Sequence, residues 1–394
     1  MSGPSRPVHV LMVIESHYPA RGGGGAESQV RTLARGLRER GHRVTILTPL
    51  SRLGPQQRVS RVDGVPVCRL PFPRMRVLGA PVLWMRLLAF LWRRRHRYDA
   101  WHAHIGHHLA AWCCVFGRLL GKPVLVKIAG GWEFAHALSA DRGPLSALTF
   151  HGLSQATRWH AISQRIAGAL VEKGVDRDRL LVVPNAVDTR RFQAIAPTPS
   201  PVPRLVFIGR LARIKGVDVL LDAFALALGD GHPALLQLVG AGDQEAALRA
   251  QAEALGIAAH VRFDGHRSDL EQVLADADVA VLPSHQEGLS NTLLECMAAG
   301  LPMVATRVSG SEDLVRHGEN GWMCEPGDRA GLAACLRQAI AASPAARQAM
   351  GQRARQAVEA YAALPRVLER LLDAYRGGRG DAQNPLQEAR MEIR

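Results

Sequence analysis

The 394-residue chain is poor in cysteine, in aromatic residues and in long apolar runs. Its six cysteines form no Cys-x-x-Cys pair and no cluster with histidine at zinc spacing, so we expect small buried thiols in a reducing compartment. The apolar run at 8–14 alternates like a strand and precedes no small-residue cleavage site, which argues against a secretory signal. With 47% hydrophobic residues, and with 38 Gly and 23 Pro spread along it, the chain is neither disordered nor collagen-like. These absences predict a globular cytoplasmic protein.

Acidic residues are scarce in the first half of the chain only. Residues 1–198 carry 29 Lys and Arg against 11 Asp and Glu, whereas residues 199–394 carry 20 against 24. A uniformly basic chain would suggest a nucleic-acid partner, but a basic half joined to a nearly neutral half indicates two separate tasks. Lysine is also rare, so a lysine within a motif stands out; the four lysines are Lys122, Lys127, Lys173 and Lys215.

Short apolar runs rich in Val, Ile and Leu alternate with stretches of helical period along the whole chain. They predict strands at 8–15, 43–50, 65–70, 99–105, 123–130, 158–163, 180–184, 204–211, 234–240, 260–264, 279–284, 302–308 and 321–325. The predicted helices over 26–40 and 244–255 end before Gly41 and Gly256, where a left-handed C-cap residue is needed. Nearly all-apolar strands alternating with helices predict an α/β protein with parallel sheets covered on both faces.

A proline-rich segment at 194–203 predicts the domain boundary, because repeated proline blocks both helix and central strand. Two doubly wound domains joined there would place a ligand cleft at the carboxyl ends of the two sheets. The expected parts are a Rossmann-like domain, a linker, a second Rossmann-like domain, a C-terminal helix able to pack back on the first domain, and a disordered tail, at 1–195, 196–203, 204–360, 361–376 and 377–394.

Two cations and a glycine directly follow the predicted strand 205–209. Arg210, Lys215 and Gly216 precede a predicted helix over Val217–Leu228. Backbone N–H groups and the helix dipole favour negative charge at a helix N-terminus, and Arg and Lys neutralise it, so this segment predicts an anion site. A solvated turn with incidental basic residues is the alternative, and this segment alone leaves both open.

Two glutamates flank the start of another predicted helix. Glu287 lies in the loop after the strand 279–284, Ser290 or Asn291 is the expected N-cap, and Glu295 lies about one turn inside the helix. The amides at this helix start form a second phosphate cradle. Because carboxylates would repel phosphate, we expect the two glutamates to accept hydrogen bonds from hydroxyl groups of a sugar or ribose. Favourable interaction with the helix macrodipole explains either glutamate alone, but not both in this context.

A run of four glycines, residues 22–25, separates the first predicted strand from the first helix. Glycine lets the backbone approach a ligand closely. The run is not the Gly-x-Gly-x-x-Gly of dinucleotide binders, and no acidic residue closes the second strand, which ends Leu47-Thr-Pro. A flexible turn is the alternative.

In their order along the chain, these segments resemble glycosyltransferase family 4, the glycosyl transferases group 1, which have the two-Rossmann GT-B fold. The resemblance covers about 8–375 and is carried by the following motifs: Val-Pro-Asn-Ala-Val-Asp at 183–188, Gly-Arg-Leu at 209–211, Val-Gly-Ala-Gly at 239–242, Val-Leu-Pro-Ser at 281–284, the glutamate pair, Gly-Leu-Pro-Met-Val-Ala-Thr at 300–306 and Asn-Gly at 320–321. Each motif alone is weak, but the ordered combination is specific.

The resemblance implies a retaining enzyme that uses a nucleotide-diphosphate sugar without a metal or other cofactor. It makes 1–195 the acceptor-binding domain and 204–360 the donor-binding domain. Arg210 and Lys215 would hold the donor diphosphate, Glu295 the ribose and Glu287 the transferred sugar. Further donor contacts are implied at Gly24, Gly25, Gly240, Arg267, Leu289 and Ser290. Asp276-Ala-Asp278 matches a metal-binding pattern, but it ends a helix just before a strand, and we interpret it as structural.

One departure from the family pattern concerns a histidine near the reaction centre. Many members carry a histidine shortly after the strand 124–126, and Ala129 stands at that position in this chain. The nearby His102-Ala-His104-Ile-Gly-His107-His108 is the obvious reserve, with His107 as the candidate catalytic group. Partial burial next to a helix start is the alternative. Metal binding is disfavoured because no carboxylate accompanies these histidines at a suitable spacing.

The segment 81–97 combines an apolar stretch with an arginine cluster. Its twelve apolar-rich residues are too few to span a bilayer, which needs about 20. As one helix it would place Arg86, Arg93 and Arg97 close together opposite a broad apolar face with Trp84 and Trp92. This suits peripheral contact with an anionic membrane at its inner face. An ordinary covering helix is the alternative.

The preferred interpretation is thus a retaining glycosyltransferase that acts on a lipid-linked or cell-envelope saccharide. The alternatives are a nucleotide-sugar epimerase of the same fold and a transferase with a soluble acceptor. A nucleic-acid binder is disfavoured because no recognition module is present and two acids lie in the predicted phosphate cleft. The resemblance also implies that contacts to the base come largely from backbone near 240–242 and 265–267, so side-chain identity does not specify the base.

Overall fold

The computed structural model of the chain describes residues 6–19, 24–50, 57–73, 75, 77–130, 133, 138, 144–195, 200–229 and 231–378. These residues form two compact units. The first comprises the described residues up to Ala186 together with those from Leu364 onward, and the second is Val187–Ala363. The boundaries expected from the sequence, after residues 195 and 360, differ from these by several residues. Residues 196–199 of the expected linker and 379–394 of the expected tail lie outside the described residues.

The described strands and helices alternate along most of the chain. The strands are β1 His9–Val13, β2 Arg43–Pro49, β3 Val59–Val62, β4 Val65–Leu70, β5 Ala100–Ala103, β6 Val124–Ile128, β7 Arg158–Ala161, β8 Leu180–Val182, β9 Arg204–Ile208, β10 Leu235–Val239, β11 Val261–Gly265, β12 Val279–Leu282, β13 Met303–Thr306 and β14 Gly321–Cys324. The helices are α1 Gly25–Glu39, α2 Gly79–Arg93, α3 His108–Leu119, α4 Pro144–Leu153, α5 Gln164–Glu172, α6 Thr189–Gln193, α7 Val217–Leu228, α8 Glu245–Ala254, α9 Leu270–Ala275, α10 Asn291–Ala298, α11 Ser311–Leu314, α12 Arg329–Ala341, α13 Pro344–Ala362 and α14 Leu364–Tyr375. Short 3-10 helices cover Arg177–Arg179, Arg213–Lys215 and Ala258–His260.

The first unit contains an eight-stranded sheet in the order β3-β4-β2-β1-β5-β6-β7-β8. The predicted parallel pairing is confirmed for its strands except at one edge, where β3 pairs antiparallel with β4. Helices α1 and α14 pack on this sheet, and their leucines share one hydrophobic cluster with Val10 and Met12 of β1. The last helix of the chain therefore completes the core of the first unit.

The second unit contains a six-stranded sheet in the order β11-β10-β9-β12-β13-β14, and the pairs recorded between these strands are parallel. Its core joins Leu205 and Phe207 of β9 to Leu220 and Phe224 of α7 and to Leu336 of α12. Strand order reverses between β9 and β12, which is the switch point where α/β sheets of this kind bind ligands. The glycines expected to end helices adopt left-handed backbone, with φ of +81° at Gly41 and +70° at Gly256.

The structure corrects the expected helix over 81–97. Helix α2 ends at Arg93 and residues 94–97 form a turn, so the prediction that Arg97 shares a helical face with Arg86 and Arg93 is wrong. The Arg95 guanidinium lies 4.2 Å from the centre of the Trp92 ring, a cation–π contact that favours the turn. Across the parts of the chain that the structure describes, every helix is too short or too polar to cross a bilayer.

Candidate functional site

The predicted cation segment and the predicted glutamate segment lie next to each other in the second unit. Both follow the carboxyl ends of neighbouring strands, β9 and β12, at the switch point of the sheet. The two turns are joined directly, because the His285 amide donates a 2.9 Å hydrogen bond to the Ile214 carbonyl. Gly216 allows this approach: its φ is +63°, and a Cβ there would lie 2.3 Å from the Pro283 carbonyl oxygen.

Lys215 and Glu287 form an ion pair between these two turns. The Lys215 Nζ lies 2.5 Å from Glu287 Oε1, and the Ser284 hydroxyl donates to the same oxygen at 2.7 Å. The side chains are 21% and 11% exposed, so the pair is screened from most of the solvent. The family resemblance assigns Lys215 to the donor diphosphate and Glu287 to hydroxyls of the transferred sugar. The structure adds that the charges of the two side chains neutralise each other.

Arg210 differs from Lys215 in having no ion-pair partner among the described residues. It is exposed, and its guanidinium makes no hydrogen bond or ion pair to other residues in the described part of the chain. Its turn is held beside the β10 turn by a 3.1 Å hydrogen bond from the Leu211 amide to the Ala241 carbonyl. A fixed backbone with an uncommitted guanidinium is suited to binding an anion.

The loop before α10 is tightly packed. Ser290 is the N-cap of α10, as predicted, and its hydroxyl accepts a 3.4 Å hydrogen bond from the Leu293 amide. Leu289 is buried, and Gly310 packs behind it with φ of +81°, so that a Cβ on Gly310 would lie 2.8 Å from the Leu289 Cα. The amides at the start of α10 are therefore held in place by the neighbouring backbone.

Glu295 lies on α10 in a partly buried setting. Burial raises the pKa of Glu295 to about 7; Arg191 on α6 opposes this shift and Glu271 on α9 adds to it. Arg191 and Glu271 form an ion pair with each other. Near neutral pH, then, the Glu295 carboxyl can carry or release a proton, and its charge depends on groups from two other helices.

Gly240 and Arg267 lie at the ends of β10 and β11. Gly240 has φ of +143°, and a Cβ there would lie 1.8 Å from the Gly209 carbonyl oxygen, so the close approach of these two turns requires glycine. The Gly240 amide donates to the Gly265 carbonyl at 2.7 Å, which joins the two segments expected near the base. The Arg267 guanidinium is ion-paired with Asp269 and lies near Asp264.

The candidate residues of the first unit lie around the switch point between β1 and β5. His107 caps α3, and its Nδ1 lies 3.0 Å from Oε1 of Glu15, which follows β1. The other oxygen of Glu15 accepts a hydrogen bond from the Leu109 amide at 3.3 Å. Glu15 therefore orients the His107 ring. Gly24 and Gly25 lie at the start of α1, while the first two glycines of the run lie outside the described residues.

Two other histidines of the His102–His108 segment, His102 and His104, lie in a buried cluster of polar side chains. His102 and His104 are fully buried with stacked rings, and His102 contacts the Tyr375 hydroxyl at 2.8 Å and His160 at 3.2 Å. Burial lowers the pKa of both His102 and His104 well below the usual value, so these rings are neutral at physiological pH. Lys127 lies beside them, and its ammonium donates to the Asn185 side-chain oxygen at 2.7 Å. Burial lowers the pKa of Lys127 to about 7.

The Asp276-Ala-Asp278 pattern has the structural setting that the sequence suggested. Asp276 caps the end of α9, and Asp278 precedes β12. The buried Asp278 carboxylate accepts hydrogen bonds from the backbone amides of Ser200 and Arg204 at 3.0 and 2.9 Å. These bonds connect the chain on either side of residue 203 to the start of β12.

Four side chains of these sites were not predicted: Ser284, Arg191, Glu271 and Glu15. Ser284 was part of a quoted motif, but its hydroxyl had no assigned role. The other three act from separate elements, and only the folded chain brings them to Glu295 or His107. The one available signal was position, since Glu15 lies two residues beyond a β-strand that ends at the switch point.

Comparison with known proteins places the chain in a family. The model of Glycosyl transferases group 1 matches residues 202–342, and that of the Glycosyl transferase 4-like domain matches residues 24–186. The lipopolysaccharide core biosynthesis glycosyltransferase LpsE of Rhizobium meliloti is 35% identical over 45% of this chain and 52% of its own length. The chain thus spans about half the length of this relative.

Two further comparisons cover most of the chain. The phosphatidyl-myo-inositol mannosyltransferase of Mycobacterium leprae is 30% identical over 79% of this chain and 83% of its own length. The crystal structure of Anabaena HepE in complex with UDP superposes with a TM-score of 0.74 at 21% identity, covering 94% of this chain and 100% of that one. The chain therefore belongs to the group 1 glycosyl transferases, glycosyltransferase family 4, and has their GT-B fold.

Proposed function

We propose that the protein is a retaining, metal-independent glycosyltransferase that moves a sugar from a nucleotide-diphosphate sugar to a lipid-linked or envelope-saccharide acceptor. The observation that carries this proposal is the pairing of Lys215 with Glu287, together with the exposed Arg210 in the same segment after β9 as Lys215. These three side chains lie at the switch point of the unit that matches the Glycosyl transferases group 1 model. They combine cations for a diphosphate with a carboxylate for sugar hydroxyls.

The donor diphosphate would bind Arg210 and Lys215. Its phosphates attract the Lys215 ammonium, which frees Glu287 to accept hydrogen bonds from hydroxyls of the transferred sugar. As the bond between the anomeric carbon and the diphosphate breaks, negative charge grows on the leaving group. Cations fixed at that point stabilise the transition state more than the ground state and so raise the rate.

Glu295 would accept hydrogen bonds from the ribose hydroxyls. An ionised carboxylate accepts from both hydroxyls, whereas a protonated carboxyl loses one acceptor position. Because burial raises the pKa of Glu295 to about 7, the proposed contact strengthens as the pH rises through that value. Arg191 favours the ionised form and therefore supports donor binding indirectly.

The retaining course needs no enzyme nucleophile. The new bond forms on the face of the anomeric carbon from which the diphosphate departs, and the acceptor proton passes to an oxygen of that leaving phosphate. His107, oriented by Glu15, would hold the acceptor hydroxyl or a neighbouring group of the sugar. His107 would thus replace the histidine that many family members carry at the position of Ala129.

The acceptor class is supported by the character of the first unit and by the relatives. Residues 1–198 carry most of the positive charge, and α2 presents exposed Met85 and Trp92 near its arginines. Two relatives have names that refer to lipid-containing molecules, a lipopolysaccharide core biosynthesis glycosyltransferase and a phosphatidyl-myo-inositol mannosyltransferase. We therefore propose peripheral binding at the inner face of an anionic membrane.

A panel of nucleotide-diphosphate sugars tests the donor side of the proposal. The purified protein should slowly hydrolyse one or a few of them and release the nucleoside diphosphate, with the sugar keeping its anomeric configuration as seen by NMR. Conversion of the donor to an epimer without release would instead identify an epimerase. Hydrolysis of none, with no binding by calorimetry, would refute the proposal.

Flotation with liposomes tests the membrane side. Binding to phosphatidylglycerol vesicles should exceed binding to phosphatidylcholine vesicles and should weaken as salt rises from low to molar concentration. Equal flotation with both vesicle types would remove the membrane part of the proposal and favour a soluble acceptor.

A further inference from the structure

Helix α3 presents an apolar face that the proposed reaction does not use. Five residues stand at positions i, i+3, i+4, i+7 and i+11 and therefore lie on one side of this helix: His108, Ala111, Trp112, Val115 and Leu119. Such a stripe in a covering helix is normally buried against a neighbour. Here Leu119 is 74% exposed, and the remaining members line a groove on the first unit.

The groove lies between α3 and its two neighbouring helices. Trp84 of α2 forms one wall, and its ring centre is 5.8 Å from that of Trp112. Helix α4 forms the other, and it approaches α3 so closely that a Cβ on Gly152 would lie 2.8 Å from the Ala111 Cβ. Leu145 and Leu148 of α4 also line the groove and are 52% and 61% exposed.

The groove has the size and chemistry of a binding site for an apolar ligand. Its volume is about 440 Å³, within the range of small-molecule sites, about 300–1,000 Å³. Two indoles and several leucines line it, and the polar groups are partly paired with each other: His108 with Thr149 at 2.8 Å, and Arg118 with Gln155 at 2.8 Å. A contiguous apolar surface of this kind on a folded unit marks an interaction site.

The position of the groove points to a particular part of the substrate. His108 lies at one end, its ring 3.9 Å from that of His107, which is the proposed acceptor-side group. From there the groove runs along α3 toward Arg118 and Leu119. A molecule with its hydroxyl head at His107 would therefore place an attached tail along the α3 stripe.

We infer that this groove binds the hydrocarbon chain of a lipid-linked acceptor. The inference rests on the proposed function, since it names the part of the acceptor that the first unit holds. Charge favours a lipid over a protein segment as the occupant. The unit carries a large excess of arginine, and Arg93 and Arg118 are exposed at the end of the groove away from His107, where they suit the anionic headgroups of neighbouring membrane lipids.

Binding of a single soluble chain tests this inference without turnover or membranes. The probe is dodecyl phosphate below its micelle concentration, compared with butyl phosphate and inorganic phosphate by calorimetry and by tryptophan fluorescence. Each buried methylene strengthens binding roughly fourfold, so we expect dodecyl phosphate to bind at least about 100-fold more tightly than butyl phosphate. Equal affinity for the two alkyl phosphates would overturn the inference.

Three variants, each replacing an exposed side chain, test where the hydrocarbon chain of the probe binds. Leu148→Glu places a charge in the groove and should weaken dodecyl phosphate binding at least about tenfold. Leu226→Glu is the matched control, because Leu226 is 47% exposed on α7 of the second unit, and it should leave that affinity unchanged. Met85→Glu, on α2 and 61% exposed but outside the groove, should keep dodecyl phosphate binding and lose flotation with phosphatidylglycerol vesicles.

The outcomes separate this inference from the proposed function. Unchanged dodecyl phosphate affinity in Leu148→Glu overturns the groove assignment. A change in oligomeric state of that variant, seen by sedimentation velocity without any effect of chain length, also overturns it and shows that the groove is a contact between copies. Donor hydrolysis by the unaltered protein is measured separately: its absence refutes the proposed function, whereas its presence with chain-independent binding refutes only the groove.

Discussion

The sharpest test of the donor site replaces Lys215 by alanine. Its Nζ is 2.5 Å from Glu287 Oε1, so the change removes one of two proposed cations. It leaves a partly buried carboxylate whose remaining partner, among the residues that the structure describes, is the Ser284 hydroxyl. Loss of one preorganised group aimed at developing negative charge lowers kcat by about 10²–10³. The orphaned Glu287 carboxylate should also repel the donor diphosphate, which raises KM.

The stability cost of Lys215→Ala must be measured alongside turnover. Exposed ion pairs contribute about 0–1 kcal/mol and breaking buried ones costs about 3–5 kcal/mol. Since the Lys215 and Glu287 side chains are 21% and 11% exposed, we expect a loss of about 1–3 kcal/mol. Urea denaturation gives this value, and kinetics are then run where both proteins are fully folded.

Arg213→Ala is the matched control for Lys215→Ala. Arg213 belongs to the same 3-10 helix, carries the same charge and is exposed. Its replacement should change kcat less than about threefold, because the charge of the exposed Arg213 side chain is screened by solvent. Equal losses in the two variants, or near-normal turnover of Lys215→Ala, would refute the assignment of Lys215 to the diphosphate.

Three further predictions concern stability. Burial raises the pKa of Glu295 from 4.5 to about 7, so between these pH values the folded chain holds a proton that the unfolded chain releases. The free energy of unfolding should therefore decrease by up to roughly 3 kcal/mol as the pH rises from 4.5 to 7. Glu295→Gln should remove this decrease, as measured by urea denaturation at about pH 4 and pH 8. Burial lowers the pKa of Lys127 from 10.5 to about 7, so the free energy of unfolding should increase as the pH rises from 7 to 10.5. Lys127→Met should abolish this increase; a variant with the same pH dependence of stability as the unaltered protein would contradict the burial of the Lys127 amine. Gly240→Ala should be far more destabilising than Gly256→Ala, because only the first Cβ meets backbone, whereas the second has open space and costs about 1–2 kcal/mol for its left-handed φ; similar melting temperatures would disprove the close approach.

The fold was largely predictable because its strands are short, apolar and buried on both faces. Gly216, Gly256 and Gly300 mark helix boundaries through a backbone requirement that sequence displays directly. Strand β3 was missed because its residues alternate between exposed and half-buried positions at a sheet edge, with no apolar run. The end of α2 was placed wrongly because the alignment of Arg97 with Arg86 and Arg93 assumed one continuous helix, and the contact of Arg95 with the Trp92 ring in the turn has no sequence signal.

The site was predictable only where its residues lie in one segment. Ser290, Glu287 and Glu295 follow a single strand, and their spacing around a helix start showed their relation. The Lys215–Glu287 pair and the Glu15–His107 contact join residues far apart in the chain, and no local pattern reports such a meeting. The pKa of Glu295 likewise depends on Arg191 and Glu271, which belong to other helices.

Because α14 completes the core of the first unit, that unit cannot finish folding until the end of the chain has been synthesised. The ribosome makes β1 first, yet Leu368 and Leu371, which pack in the same cluster, are translated only after the whole of Val187–Ala363. The nascent amino-terminal part therefore waits with an incomplete interior while the second unit can already fold. A stop codon just before Leu364 would leave that second unit intact and the first unit open to proteolysis.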